Sequence, residues 1–407
     1  MTAVLGTFLS KRANIADESL QQAIRDHLAW WGLRHFTSDR EYFLWQRLCL
    51  SADELNQLHA HVERKRGGDR CDEVAFYDLA ARREILPVLY SQRYEYYETI
   101  ARRTISRLGE AKSVFDFGCG PGILTSLYAD LYPEKHFLGV DRSRASILVA
   151  RQKAESLGLQ NLRFECVDVE LEPLSGSYDL VMATHALVQA EQDMGIPSQS
   201  WRTFERGHDP SLQSSFEQRT GLAARLDRLC QVMDSPGRMI VCEKTRQLAR
   251  RVPFQRALAN RGLRPAERPV PIRYHTVEEV VDDGPFYVLC RGGEAALSWD
   301  ESPERDEGRP FDPDEIPPTD DPNAPLYENH RPSAQAAWEQ LKDRAVTRET
   351  TRHAADGREV HVERGRSHGR QYLYCANTFD QRQLVIVEGG RAAILDSYYQ
   401  EILRGLP

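Results

Sequence analysis

The segment 114–122, VFDFGCGPG, constrains the fold of this chain more than any other stretch. A run of strand-forming residues leads into a turn that contains Gly118, Gly120 and Gly122, and an apolar helical stretch follows. Glycine adopts positive φ without steric cost and lets the backbone approach a ligand closely. Free amides at the start of the following helix can donate hydrogen bonds to a negatively charged ligand group. The segment therefore predicts a strand, a ligand-binding turn and a helix.

The sequence after residue 113 alternates between short β-branched or aromatic runs and helical stretches. Such alternation is typical of βαβ units around a parallel sheet. We predict an α/β fold in residues 109–298, with a doubly wound, mainly parallel, seven-stranded sheet. The predicted strands are 113–118, 136–141, 162–168, 178–184 and 237–244, with two last strands at 268–272 and 286–292.

Residues 1–108 are predicted to form a helical region that covers the ligand site. Two S-x-x-E segments, 38–41 and 51–54, fit the capping box, in which serine and glutamate satisfy each other's free amides at a helix start. Farther along, the pattern predicts that the chain leads through Pro87 into a long helix that ends at Gly109. No strand alternation is present in this region.

Three further segments complete the predicted organisation. A polar insertion at 192–218 is rich in Gly, Pro, Ser and Gln, which predicts a loop or lid. Residues 299–325 are crowded with proline and acidic side chains, which favours an extended linker. Residues 326–407 are predicted to form a small α+β domain, with a helix at 333–344, strands at 358–364, 370–376 and 382–388, and a final helix at 392–403.

The glycine turn does not match the common nucleotide-binding motifs. A dinucleotide-binding turn needs G-x-G-x-x-G, and Ile123 stands where its third glycine would fall. The G-K-S or G-K-T ending of a P-loop is also absent. Residues 116–122 instead resemble the first motif of the class I S-adenosylmethionine-dependent methyltransferases, D-x-G-x-G-x-G. The resemblance continues in the order of that family through 113–292, and residues 178–181 match its fourth strand.

The resemblance implies a binding site for S-adenosyl-L-methionine, with S-adenosyl-L-homocysteine as product. In that family an acidic residue at the end of the second strand, here Asp141, hydrogen-bonds the ribose hydroxyls. Asp168 ends the third strand, where the family often has a carboxylate that accepts from the adenine amino group. The core residues implied to bind the cofactor are Asp116, Gly118, Cys119, Gly120, Pro121, Gly122, Asp141, Arg142, Asp168, Val169 and Thr184.

These residues also have a purely structural interpretation. The three glycines are consistent with a tight strand-to-helix turn, and Asp116 with a cap for the turn amides. Asp141 precedes Ser143 and is consistent with an N-cap of the next helix. Asp168 is consistent with a solvated strand end. The sequence by itself is compatible with both interpretations.

The aromatic run from Tyr90 to Tyr97 resembles the N-terminal arm that covers the cofactor in many small-molecule methyltransferases. In that arm a tyrosine or arginine reaches the methionine carboxylate, which implies this role for Tyr90 and Arg93. Tyr77 is a further candidate for the same contact. Each of these residues is equally consistent with aromatic packing of a helix on the sheet.

Catalysis by such an enzyme needs few dedicated side chains. Methyl transfer from a sulfonium depends mainly on in-line positioning and exclusion of water, and a base is needed only for a protonated acceptor. His185 follows the fourth strand at the end of the sheet where ligands bind, and its titration range suits a base. We predict His185 and Glu191 as catalytic residues, with Glu243 as a further candidate. The same positions are compatible with a packed histidine and with solvated or structural glutamates.

The predicted reaction is methylation of oxygen or nitrogen on a small or medium-sized molecule. The N-terminal region and residues 185–218 would position this acceptor. The net charge of −8 gives no reason to expect a polyanionic partner. Basic residues nonetheless recur from Lys244 to Arg273, so the sequence is also compatible with an RNA or DNA acceptor. It is compatible as well with a protein acceptor, or with a non-catalytic scaffold that binds the cofactor.

Cysteine usage and hydropathy suggest the cellular setting. The eight cysteines include no C-x-x-C pair and no zinc-type spacing with histidine, so we expect free thiols, a cytoplasmic protein and no metal. The N-terminal apolar run is too short for a signal peptide and lacks a basic leading segment. No stretch approaches about 18 consecutive apolar residues, so no membrane span is expected.

Overall fold

The computed structural model describes residues 17–66, 69–189, 193–292, 297–314, 324–354 and 357–405. The chain divides into two compact units. The first contains Met1–Gln192, Glu217–Arg246 and Ala257–Trp299, and the second contains Asp193–Phe216, Gln247–Arg256 and Asp300–Pro407. Most of the predicted 192–218 insertion therefore belongs to the same unit as the C-terminal part of the chain.

Within the described ranges, six helices precede the first strand: α1 (Asp17–Trp30), α2 (Asp39–Cys49), α3 (Ala52–Arg66), α4 (Arg70–Ala80), α5 (Ile85–Ser91) and α6 (Tyr94–Ile105). Both S-x-x-E segments mark helix starts, but only the second forms the complete capping box, since the Glu41 carboxylate accepts from Thr37 rather than Ser38. The Glu41 amide donates to Oγ of Ser38 at 3.3 Å at the start of α2. At the start of α3, the amides of Ser51 and Glu54 each donate to the other residue's side chain.

The prediction of one long helix that follows Pro87 and ends at Gly109 is wrong. Pro87 stands in the first turn of α5, where a proline ring is tolerated. The chain then leaves helical geometry at Arg93, which has φ −116° and ψ 34°, and α6 already ends at Ile105. The break between α5 and α6 contains neither glycine nor proline, so no local sequence signal marks it.

Eight strands of the described chain form the sheet of the first unit: β1 (Ser113–Phe117), β2 (His136–Asp141), β3 (Leu162–Cys166), β4 (Tyr178–Thr184), β5 (Met233–Cys242), β6 (Leu263–Pro265), β7 (Val270–His275) and β8 (Val280–Arg291). Their order is β3-β2-β1-β4-β5-β8-β6, and β7 also pairs with β8. Strands β1 to β5 are parallel, whereas β8 runs antiparallel to its three neighbours. The predicted doubly wound, mainly parallel sheet is confirmed. Its strand count of seven is corrected to eight by the three-residue β6.

Five further helices in the described residues connect these strands: α7 (Ile123–Leu131), α8 (Arg144–Ser156), α9 (Pro210–Arg219), α10 (Leu222–Val232) and α11 (Leu248–Asn260). Helices α1, α6 and α7 share one core with β1, built from Ile24, Ile100, Leu127 and Val114. Helix α9 begins within the segment predicted to be a loop, so that prediction is wrong from Pro210 onward. The carboxylate of Asp209 accepts from the Ser211 amide at 2.8 Å and thereby caps α9.

The chain order of the sheet reverses at β1. This strand lies between β2 and β4, in parallel with both. In open α/β sheets, ligands bind outside the carboxyl ends of the strands at such a reversal. The glycine turn leaves β1 and His185 leaves β4 at this edge. The topology therefore places both predicted features at the expected ligand site.

The second unit contains a five-stranded antiparallel sheet, counted over the described residues, of β9 (Tyr327–Asn329), β10 (Ala345–His353), β11 (Glu359–Ser367), β12 (Arg370–Asn377) and β13 (Arg382–Val387), in the order β10-β11-β12-β13-β9. Helix α12 (Ala334–Glu339), a short 3-10 turn (Gly389–Arg391) and helix α13 (Ala392–Gly405) accompany it. One face packs Val362 and Leu373 against Leu395 of α13. The other packs Tyr374 against Trp201. The predicted α+β character is confirmed, although β9 and β10 were not predicted.

No helix within the described ranges combines the length and apolar character needed to cross a bilayer. All eight cysteines are free thiols, as their spacing predicts.

Candidate active site

A cavity of about 350 Å³ opens at the carboxyl ends of the parallel strands of the first unit. Its walls come from the segments after β1 to β4 and from helices α3 to α6. All but one of the predicted cofactor residues line it, the exception being Gly122. The lining includes Tyr90, Arg93, Asp116, Gly118, Cys119, Gly120, Pro121, Asp141, Arg142, Asp168, Val169 and Thr184, together with His185.

The glycines of the turn serve two different purposes. Gly118, Gly120 and Gly122 have φ values of 70°, 54° and 81°, a conformation that favours glycine. A Cβ atom on Gly118 or Gly122 would overlap neighbouring side chains, at 2.3 and 2.5 Å, so packing alone requires these two. A Cβ on Gly120 would meet only the Tyr90 hydroxyl, at 3.8 Å. The backbone at Gly120 therefore borders open space in the cavity.

The carboxylate of Asp141, at the end of β2, is held by two backbone amides. The Gly120 amide donates to Oδ2 at 2.9 Å and the Ser143 amide to Oδ1 at 2.8 Å. Burial raises the pKa of Asp141, and these two hydrogen bonds oppose the rise. Ser143 itself is the N-cap of α8, since its hydroxyl accepts from the Ser146 amide. Asp141 thus ties the glycine turn to β2 at the cavity wall.

Asp116 contacts the helix after the turn rather than the turn amides. It is buried in β1, and its Oδ2 accepts from the Thr125 hydroxyl at 2.5 Å. Burial raises the pKa of Asp116 to about 7, with the Thr125 hydrogen bond acting in the opposite direction. The Asp116 carboxyl group therefore links α7 to β1 at the cavity.

Two predicted cofactor residues form ion pairs with the α4 segment. Asp168 pairs with Arg70, and its Oδ1 also accepts from the Glu170 amide at 3.1 Å. Arg142 pairs with Glu73. These pairs fix α4 over the strand ends, so the N-terminal helices form one wall of the cavity.

Tyr90 and Arg93 lie on either side of the end of α5. The Tyr90 ring stacks on Tyr97, with centroids 5.9 Å apart. Burial lowers the pKa of Arg93, but neighbouring tyrosines, led by Tyr274, outweigh it and raise the pKa overall. No carboxylate within the described residues forms an ion pair with Arg93, so its guanidinium is available for an anionic ligand group.

His185 adopts a left-handed conformation, with φ 53°, that few residues other than glycine accept. Its Nε2 lies 2.8 Å from Oδ2 of Asp283, and its ring stacks on Tyr96 with centroids 4.7 Å apart. Burial lowers the pKa of His185, and Asp283 opposes this shift. Neither Nδ1 nor Nε2 has a hydrogen-bond partner in the described part of the chain, so the 2.8 Å approach of Nε2 to Asp283 is an electrostatic contact.

Asp283, which contacts His185 but does not line the cavity, was not predicted from the sequence. It is buried in β8, where Oδ2 also accepts from the Tyr274 hydroxyl at 2.9 Å and Oδ1 from the Gly284 amide at 2.7 Å. Burial raises the pKa of Asp283, but His185 and these hydrogen bonds hold it well below its usual range. The available signal was the acidic pair 282–283 inside an otherwise apolar strand.

Glu243 supports the backbone next to His185. It is buried after β5, and its carboxylate accepts from the amides of Ala186 and Leu187, both at 2.8 Å. Burial raises the pKa of Glu243 to about 7, and the amide hydrogen bonds oppose this. Glu243 does not line the cavity, whereas Glu191 lies outside the described residues.

Comparison with known families supplies the deciding observation. Residues 108–261 match the family described as methyltransferase domain, a stretch that contains the glycine turn, Asp141 and His185. These residues form a class I methyltransferase domain. The family resemblance predicted from the sequence is confirmed.

Relatives and solved structures resemble parts of the chain. Trans-aconitate 2-methyltransferase of Variovorax paradoxus is 38% identical over 105 residues, 25% of this chain and 38% of that protein. The 4-amino-L-phenylalanine/4-methylamino-L-phenylalanine methyltransferase of Streptomyces pristinaespiralis is 25% identical over 205 residues, 48% of this chain and 68% of that protein. Magnesium protoporphyrin IX methyltransferase of Synechocystis PCC 6803 gives a TM-score of 0.35 at 17% identity, over 49% of this chain and 82% of that one. The alignments span only 28–40% of the first curated relatives.

The basic run near the end of the methyltransferase domain is largely paired with carboxylates. The pairs are Arg251–Glu304 and Arg256–Glu301 in the second unit, and Arg261–Glu217 and Arg273–Asp282 in the first. Arg250 and Arg251 are buried. Neutralised and buried guanidinium groups contribute little to binding of a phosphate backbone. The run gives no specific support to an RNA or DNA acceptor.

Proposed function

We propose that this chain is an S-adenosylmethionine-dependent methyltransferase that acts on oxygen or nitrogen of a small molecule. The observation that carries the proposal is the meeting of three features in one cavity. The Gly120 backbone and the Asp141 carboxylate form a binding edge, and His185, backed by Asp283, provides a reactive group. The binding edge alone would suit many ligands. The His185–Asp283 pair adds the ability to move a proton.

The residues around the cavity fit the chemistry of this cofactor. Each oxygen of Asp141 holds one amide, which leaves lone pairs that can accept from two ribose hydroxyls. The missing side chain at Gly120 leaves room for a ligand beside the backbone. Arg93 supplies a cation for the carboxylate of the methionine moiety. Val169, buried beside β3, offers an apolar contact for the adenine ring.

His185 is the residue that would accept a proton from the acceptor. The bound cofactor supplies a methyl group on a sulfonium, so the protein has only to position the acceptor and, where needed, deprotonate it. Asp283 faces Nε2, which leaves Nδ1 to accept the proton of a hydroxyl or ammonium acceptor. Asp283 then stabilises the imidazolium, and stacking on Tyr96 fixes the plane of the ring. Glu243 holds the backbone that orients this histidine.

The named relatives support a small acceptor. The relatives described above are named for methylation of trans-aconitate and of amino-substituted phenylalanine. We therefore infer an acceptor of comparable size that carries a hydroxyl, carboxylate or amine.

Transfer of labelled methyl groups from S-adenosylmethionine to a panel of small acids, phenols and amines tests this function. We expect the protein to label at least one small molecule, and His185→Ala to transfer about 100-fold more slowly. His208→Ala, a change at an exposed histidine outside the cavity, is the matched control. Labelling of RNA or protein alone, when these join the panel, would contradict the proposal. Cofactor binding without any transfer would favour a scaffold role instead.

A further inference from the structure

The second unit carries a cluster of three side chains with metal-ligand chemistry. Glu349 lies on β10, and His361 and Glu363 lie on the neighbouring strand β11. Glu349 is paired directly with Glu363 in the antiparallel ladder. Residues two apart on a strand share one face of the sheet, so all three side chains lie on the same face. Their ligand atoms all fall within 4.8 Å of one another.

The imidazole of His361 is oriented in a way that suits a metal ligand. It is only 2% exposed, and its Nε2 has no hydrogen-bond partner among the described residues. Nδ1 lies 2.8 Å from the Thr351 hydroxyl, and the ring stacks on Trp201 with centroids 3.7 Å apart. When Nδ1 carries the proton and donates it to this hydroxyl, Nε2 is unprotonated and its lone pair has no partner. Metal-ligating histidines are typically held through their other nitrogen in this way.

Glu363 directs one oxygen toward that lone pair. Its Oε1 accepts from Nε1 of Trp338 at 3.0 Å and from the Tyr372 hydroxyl at 2.5 Å. Its Oε2 lies 3.7 Å from Nε2 of His361, which is too long for a hydrogen bond. The distance suits two ligands of one ion, because tetrahedral bonds of about 2.0–2.2 Å place ligand atoms roughly 3.3–3.6 Å apart.

The cluster contains two carboxylates, and Arg344 is a cation that acts on one of them, Glu363. Glu349 and Glu363 place two carboxylates opposite each other across the strands, a pairing that destabilises a sheet when uncompensated. Glu349 forms no ion pair in the described part of the chain, and its side chain is exposed on the edge strand β10. An ion can therefore reach the buried histidine from solvent along this edge.

We propose that Glu349, His361 and Glu363 bind a divalent transition-metal ion such as Zn²⁺ or Mn²⁺. One imidazole nitrogen and two carboxylate oxygens suit these ions, whereas Ca²⁺ prefers an all-oxygen shell. The site is independent of methyl transfer in the first unit and goes beyond it. The expectation of no metal rested on local spacing, and Glu349 joins His361 and Glu363 only through strand pairing.

The test uses untagged, full-length protein, freed of metal with a chelator and titrated with Zn²⁺ by calorimetry and with Mn²⁺ by electron paramagnetic resonance. We expect one ion per chain. Glu349→Gln removes an exposed ligand without altering the core and should weaken binding about tenfold or more. Thr351→Val removes the hydrogen bond to Nδ1 and should weaken it about 10–100-fold. Glu401→Gln, at an exposed position on α13, is the matched control and should bind normally.

Thermal unfolding provides a second measurement that does not depend on binding heats. The metal should raise the unfolding midpoint of the wild type and of Glu401→Gln, but raise it less in Glu349→Gln. Absence of binding by the wild-type chain would overturn the proposal. Unchanged affinity in both Glu349→Gln and Thr351→Val would also overturn it, because the ion would then sit elsewhere, such as on the exposed thiols of Cys49 and Cys71. Neither failure bears on methyl transfer.

Discussion

Nε2 of His185 lies 2.8 Å from Oδ2 of Asp283, although the two residues belong to strand segments that are not neighbours in the sheet. His185 follows β4, Asp283 lies on β8, and β5 runs between these strands. A buried carboxylate beside an imidazole orients the ring and stabilises its charged form. This pair distinguishes His185 from a histidine that merely packs over the edge of the sheet.

Replacement of Asp283 by asparagine removes the negative charge that raises the pKa of His185. Because burial already lowers this pKa, we expect it to fall still further in Asp283→Asn. Nuclear magnetic resonance titration of the His185 ring protons, assigned with His185→Gln, measures the change. Asp282→Asn alters the adjacent, less buried carboxylate and should leave the pKa in place. An unchanged pKa in Asp283→Asn would show that the two side chains do not interact.

Gly120→Arg should abolish binding of S-adenosylhomocysteine by filling the cavity beside the backbone. Gly262→Arg is the matched control, because Gly262 also has positive φ, 74° against 54°, and nothing lies within 4 Å of its Cβ position. Both variants carry backbone strain of about 1–2 kcal/mol. Calorimetric titration should therefore show binding only in Gly262→Arg. Equal binding by the two variants would place the ligand elsewhere.

The stability that Glu243 contributes to the first unit should decrease as the pH rises. Folding raises the pKa of Glu243 to about 7, so the folded state holds this proton more tightly than the unfolded state. The contribution is fully present below the unfolded pKa of about 4.5 and disappears as the pH passes 7. The free energy of unfolding, measured with urea between pH 5 and 8, should decline less steeply in Glu243→Gln than in the wild type, by up to about 1.4 kcal/mol per pH unit. An identical decline in both proteins would contradict this.

Asp380→Ala should destabilise the second unit by about 3–5 kcal/mol, because it leaves a buried charge unpaired. Both oxygens of Asp380 lie 2.5 Å from the guanidinium of Arg206, whose side chain is 0% exposed. Asp343→Ala is the control, since Asp343 also has positive φ but is exposed. Chemical unfolding measures both changes. A loss no larger than in the control would mean that the buried pair contributes little.

The parallel core could be predicted closely from the sequence because its strands are short apolar runs bounded by turns. The predicted segments 136–141 and 178–184 coincide with β2 and β4. The opposite case is β10, whose residues are almost all exposed, so its sequence shows no alternation of apolar and polar positions. An edge strand of this kind is recognisable only from the partner to which it pairs.

The predicted cofactor residues could be located from the sequence because they lie within or directly after predicted strands. The partner of His185 could not. Asp283 reaches His185 only through the strand order of the sheet, and no spacing rule relates the two. The break at Arg93 likewise depends on how α5 and α6 pack, since neither glycine nor proline marks it. Tertiary contacts, rather than local propensity, decide both features.

We propose that the cavity between Gly120, Asp141 and His185 binds S-adenosylmethionine. Calorimetric titration of the purified chain with S-adenosylmethionine and S-adenosylhomocysteine, with NAD as control, tests it most directly. We predict micromolar binding of the first two and none of NAD, with the binding lost in Asp141→Ala. No heat from either ligand, or binding of both that survives in Asp141→Ala, would contradict the account and leave the glycine turn with a purely structural role.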